Sequence, residues 1–169
     1  MTGSSGCVEL SSPLNGSLEI GVRVSALLTA AFPSRLDIAR LVLLDHALLH
    51  TADLGGPSSL HPELPLRSGE LGMKRSLISE GVEFACRVGL AELHATPDGI
   101  EFRASESAPG FLALLKADYY VELAQRAEWV CGAFSDTPDL QLRSHIAEVL
   151  GDRSEEFSSS NPADYLETH

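Results

Sequence analysis

Two neighbouring segments, 17–32 and 37–50, are apolar on nearly every face that a helix can present, and a helix of that kind has to be buried. In the first, Leu18, Val22, Ala26, Leu27 and Ala30 recur at helical spacing, while Val24, Leu28 and Ala31 widen the stripe. Ser17 is a suitable N-cap, and Pro33 stops the segment. In the second, Asp37 caps or opens the helix. Ile38, Leu41, Val42, Leu44, Ala47, Leu48 and Leu49 then leave only Arg40, Asp45 and His46 to mark a wetter side. The rest of the chain has to cover these two helices.

The run His50-Thr51-Ala52-Asp53-Leu54-Gly55-Gly56-Pro57-Ser58-Ser59-Leu60-His61-Pro62 cannot continue the helical pattern, because Gly, Pro and Ser dominate it. It carries two histidines and an aspartate, which a plain spacer does not need. Loops as long as 51–66 are uncommon inside a domain and usually have a role.

Beyond the loop, two helical stretches are expected at about 67–79 and 80–89, with Ser68 capping the first and Gly81 making the turn between them. The periodicity then changes. Leu90–His94 and Ile100–Ala104 alternate apolar with polar residues around Thr96-Pro97-Asp98-Gly99, a strong hairpin signal. Helix, helix and hairpin in this order read as a winged helix-turn-helix with one β-hairpin wing, within a mainly α domain. A long helix follows from about Ser107 to Phe134, its face marked by Phe111, Leu115, Tyr119, Leu123, Ala127 and Val130. The expected organisation is a flexible arm at 1–16, a helical body at 17–134, and an acidic tail at 135–169. Leu140, Leu142, Ile146 and Val149 give that tail the pattern for one short helix.

The 169 residues carry a net charge of −12. Two of the 12 basic and eight of the 24 acidic residues fall in 135–169, so half of the excess lies there. A chain this acidic is a poor nucleic-acid binder on its own, since phosphate contacts need clustered cations. In the expected winged region Arg67, Lys74, Arg75, Arg87 and Arg103 face Glu70, Glu80, Glu83, Glu92 and Glu101 in equal number. The reading head is therefore neutral and suits a protein-docking role, with Lys74, Arg75 and Arg103 as the residues available for DNA. No apolar run has the length of a membrane span, and residues 1–12 lack the pattern of a secretory signal. Cys7, Cys86 and Cys131 show no metal-site spacing, so reduced thiols in a cytoplasmic protein are expected.

Two other function classes can be weighed. His46 and His50, four apart on one helix, could join Asp53 and His61 as metal ligands, but HExxH is absent. The plainer expectation is that His50 and Asp53 bond loop backbone, while His46 faces solvent. Gly55-Gly56 lies in no phosphate-binding motif, and Ser59 in no nucleophile elbow. No catalytic residue, metal or cofactor is expected. The second class is a winged-helix transcriptional regulator, which the net charge disfavours.

The run from Leu36-Asp37 through Leu41 and Leu44-Asp45 to His50-x-x-Asp53-x-Gly55-Gly56-Pro57-x-Ser59-Leu60-His61-Pro62, then Arg67-Ser68-Gly69-Glu70-Leu71, resembles the small middle component of three-component ABC-ATPase systems. These belong with Lamassu-type bacterial defence against phage and plasmids. The resemblance spans about 18–134, including Thr96-Pro97-Asp98-Gly99-Ile100 and Trp129. It implies a non-enzymatic regulatory subunit that joins an SMC-like ATPase (of the structural-maintenance-of-chromosomes type) to a nuclease-type effector. DNA would be met only through the complex. On this expectation His50, Asp53, Gly55, Gly56, Pro57, Ser59, His61, Pro62, Arg67 and Glu70 organise the loop or meet a partner.

Overall fold

The computed structural model describes residues 16–61 and 70–159, with side chains described in 16–61 and 74–149. Residues 1–15 of the arm predicted at 1–16, together with Pro62, Arg67 and Ser68, lie outside the described residues, as does the side chain of Glu70.

The two apolar segments form α1 (Ser17–Ala31) and α2 (Ile38–Leu49). Both are central: Val24, Leu27, Leu28, Leu41, Ala47 and Leu48 have no exposed surface. Asp37 caps α2, its carboxylate accepting from the Arg40 N–H at 2.7 Å. Arg40, expected on a wetter face, is instead half-buried and turned onto the end of another helix. Its guanidinium donates to the Phe134 carbonyl, to the Thr137 carbonyl at 2.7 Å and to Asp139 at 2.9 Å. It thereby ties α2 to the turn at 134–139.

α3 (Glu70–Arg87) runs unbroken, so the helix-turn-helix turn predicted at Gly81 does not form. Gly81 serves packing instead. A Cβ there would lie 2.5 Å from Ile20 Cγ2 and 3.1 Å from the Ile20 backbone carbon. Across the crossing, a Cβ on Gly21 would lie 2.7 Å from Phe84 Cδ1. The two glycines let α1 and α3 approach closely, which outweighs the roughly 1 kcal/mol propensity cost of glycine within a helix.

The hairpin forms as expected. β1 (Ala91–Thr96) and β2 (Gly99–Ala104) pair antiparallel, with Glu92 opposite Arg103, Leu93 opposite Phe102 and His94 opposite Glu101. Leu36 adds a one-residue bridge on the far side of β2. It exchanges both backbone hydrogen bonds with Phe102, at 2.8 and 2.9 Å. Phe102 and Ala104 are buried against the helical core.

The single helix expected over 107–134 is divided into α4 (Ala108–Ala113) and α5 (Asp118–Phe134). Both pack on α1, which an unbroken rod leaving α4 could not do along its whole length. Ala117 is extended and sets the elbow. α6 (Asp139–Ser159) is longer than the short helix expected there. Leu142 and Ile146, four apart, are buried in the same core as α2.

Candidate functional site

The loop after α2 is the predicted site, and it folds upon itself before it meets anything else. Thr51–Leu54 form a 3-10 turn, closed by Gly55 at φ 79°, a conformation that favours glycine. Thr51 is fully buried, and its hydroxyl donates to the Pro57 carbonyl at 2.8 Å. The Gly56 N–H donates to the Thr51 carbonyl at 2.9 Å, and the Ala52 N–H to Ser59 Oγ at 3.2 Å. Asp53 lies in the turn, its N–H bonded to the His50 carbonyl at 3.2 Å. His61 returns to α2, donating its N–H to the Leu49 carbonyl at 3.3 Å.

The folded loop is then docked on α5. Arg126 donates from Nε to the Ser58 carbonyl at 3.0 Å and from Nη2 to Ser58 Oγ at 3.1 Å. Gly56 lies against Trp129 so closely that a Cβ would fall 2.5 Å from the indole ring. His61 Nε2 lies 3.4 Å from Tyr119 Oη, a third tie to the same helix. Pro57, Ser58, Ala52 and Gly55 keep their outer surfaces exposed. The result is a rigid ledge, held by backbone bonds within and by one arginine and one tryptophan beneath.

Next to the ledge lies a buried polar cluster. Asp45 of α2 has no exposed surface, which overturns its expected place on a wet face. Arg23 of α1 grips it in bidentate fashion, at 2.7 Å from Nε and 3.1 Å from Nη2. Lys74 of α3 completes the cluster, its ammonium 3.1 Å from Asp45 Oδ2. Burial by itself would raise the Asp45 carboxyl, but the nearby Lys74 and Arg23 charges outweigh it and bring it down to about 2. Asp45 is thus an anion that joins three helices.

His46 was expected to face solvent, yet it is only 4% exposed. Burial, then the positive charge of Lys74 and the neighbouring His50, pull its pKa down to about 3, so the ring is neutral. Its centroid lies 4.8 Å from that of His50. His61 is shifted the same way, by burial and by Arg23. Among the described residues no three His, Cys, Asp or Glu side chains converge as a metal site would require.

The residues considered for DNA are largely engaged. Lys74 is committed to Asp45. Arg103 donates to Glu92 at 2.9 Å and stacks over Phe32, 5.8 Å from the ring centroid. Arg75 is exposed, and shares a shallow cavity with the acidic Asp37, Asp98 and Glu101. No described helix is long and apolar enough to cross a membrane.

Sequence reasoning located the ledge but missed Arg23, Asp45, Arg126 and Trp129 as the residues that hold and flank it. One signal was legible. Arg23 and Asp45 are charges of opposite sign set among the apolar residues of adjoining helices, and buried charges require partners.

A family model described as ABC-three component (ABC-3C) system Middle Component 2 matches residues 13–156. No curated protein and no solved structure matches the chain.

Proposed function

The chain belongs to the ABC-three component system middle component 2 family, and from that premise we propose that it is the non-enzymatic bridging subunit of a bacterial defence complex. It would join an ABC ATPase to a third, effector component. Within this reading the ATPase is of the SMC-like type and the system is Lamassu-like. The effector is a nuclease, released or activated when the ATPase meets foreign DNA.

The observation that carries the reading is the docked ledge. A loop left to itself is mobile, whereas this one is fixed by internal bonds and by Arg126 and Trp129. Its outer residues, Ala52, Pro57 and Ser58, nevertheless stay exposed. A rigid, exposed loop is preorganised for a partner, because little ordering entropy remains to be lost on binding. The engagement of Lys74 and Arg103 by acids favours protein docking over direct reading of DNA.

The test is co-expression with the ATPase and the third component encoded alongside it, followed by affinity capture and sizing. A complex containing all three chains is expected. If the ATPase and the third component co-purify equally well without this chain, the bridging role is wrong.

A further inference from the structure

The hairpin offers a different surface, independent of the ledge. Phe102 directs both of its backbone groups at Leu36, at 2.8 and 2.9 Å, and therefore away from β1. Backbone direction alternates along a strand, so Glu101 and Arg103 face β1, and their register partners His94 and Glu92 face β2. The Ser105 N–H, bonded to the Leu90 carbonyl at 3.0 Å, keeps the same alternation. Leu93 and Ala95 consequently point their N–H and C=O groups at the other edge and are exposed there, while Ala91, which shares their direction, is buried. Among the described residues no strand pairs with that edge.

An open edge is a template for strand addition, and this one has apolar side chains beside it. Leu93 is 56% exposed and Ile100 52%, on the same face as the buried Phe102. The opposite face carries Glu92, His94, Arg103 and Glu101.

We infer that β1 pairs antiparallel with β1 of a second copy of this chain, about a two-fold axis through Leu93. In that register Leu93 meets its own counterpart and the pair exchanges both outward backbone hydrogen bonds, while the exposed Ala95 lies opposite the second copy's buried Ala91. Glu92 falls opposite the second copy's His94. Those positions do not carry the hydrogen bonds, so their side chains approach most closely and opposite charge counts for most. Across the resulting four strands the side chains run Arg103, Glu92, then the second copy's His94 and Glu101, so each carboxylate has a basic side chain beside it, in addition to the contacts Glu92 makes within one copy to Arg103 at 2.9 Å and His94 at 3.4 Å. The neighbouring registers lack this match. An axis through Glu92 sets Glu92 against itself, and an axis through His94 sets His94 against itself. The sequence of the edge is thus self-complementary in one register, which selects a second copy over an unrelated strand.

Sedimentation of the full chain alone at micromolar concentration tests this, together with two substitutions. Leu93→Pro removes an outward donor and leaves the β1–β2 bonds intact, since proline is tolerated where the N–H faces away from the sheet. The wild-type chain is expected to be a dimer and the Leu93→Pro variant a monomer. Leu93→Cys should cross-link into a covalent dimer on mild oxidation. The Cα atoms of such a pair lie about 5.5 Å apart, within disulfide reach. Ala95→Cys, which opposes the second copy's Ala91, should cross-link far less, and the wild type controls for the native cysteines. A monomeric wild type, a Leu93→Pro variant as dimeric as the wild type, or Ala95→Cys cross-linking as fully as Leu93→Cys would each overturn the inference. If Leu93→Pro fails to fold, the two cysteine variants decide it.

Discussion

Arg23 and Asp45, 22 residues apart, meet through two hydrogen bonds of 2.7 and 3.1 Å, with side chains only 4% and 0% exposed. Neither charge could sit there alone. Lys74 adds a second cation at 3.1 Å, so one carboxylate ties α1, α2 and α3 together next to the ledge.

Asp45→Asn keeps the shape of the side chain and removes the charge, leaving Arg23 buried without its anion. Breaking a buried pair in this way costs about 3–5 kcal/mol. Lys74→Met should cost less, because the lysine is 18% exposed and Arg23 still holds Asp45. Urea unfolding of the three proteins checks the order. Equal stability of wild type and Asp45→Asn would refute the account.

Stability should fall as the solution is acidified. His46 is held at about 3 in the folded chain against an ordinary 6.5, so between these values the unfolded chain binds a proton that the folded chain refuses. Stability then drops as pH falls from 6.5, by at most about 1.4 kcal/mol per pH unit from this one group. Asp45, lowered from 3.8 to about 2, stabilises fully above 3.8 and loses that contribution as pH falls toward 2. Urea midpoints at successive pH values read this slope, and His46→Gln should flatten it above pH 4. A wild-type midpoint unchanged between neutral pH and pH 4 is the contrary result.

Gly56→Val drives a branched side chain into the Trp129 ring. The ledge should lift from α5, with a cost of about 1–3 kcal/mol and a shift in the emission of the chain's single tryptophan. Arg126→Ala should loosen the same segment with less global effect, visible as faster amide exchange over 51–61. If the ledge binds a partner, Gly56→Val also loses capture of the three-chain complex. A variant that captures both partners normally would sink that role while leaving the packing intact.

Gly81→Ala reverses a usual rule. In an exposed helix interior this change gains about 1 kcal/mol. Here the new methyl meets Ile20, including its backbone at 3.1 Å, so destabilisation of about 1–3 kcal/mol is expected. Ile20→Ala added to it relieves part of the clash, and thermal melts of the single and double variants measure the coupling. A more stable Gly81→Ala protein would show that α1 and α3 do not cross so closely.

Much of this was legible along the chain. The all-round apolarity of 17–32 and 37–50 required burial, the Asp98-Gly99 pair within alternating runs required a hairpin, and the Gly-Pro-Ser run required a loop. These are local properties, read over a few residues by periodicity or by allowed backbone angles. Gly81 shows where that reading ends. Glycine permits a turn and also permits close packing, and the choice was made by Ile20, far away in sequence. Asp45 and His46 looked solvated because polarity alone suggests water, yet Arg23 and Lys74 arrive from other helices to accept the burial. The ledge was likewise located by composition, but Arg126 and Trp129, which hold it down, come from a helix beyond the hairpin. Sequence by itself determined that 17–32 and 37–50 are helical, that 90–104 is a hairpin and that 51–61 is bent, since these follow from each residue's neighbours, but it did not place the elbow at Ala117 or the unbroken run through Gly81. Tertiary structure decided which charge is sealed, which glycine packs and which loop is rigid, since each of those depends on atoms brought together only when distant helices close on one another.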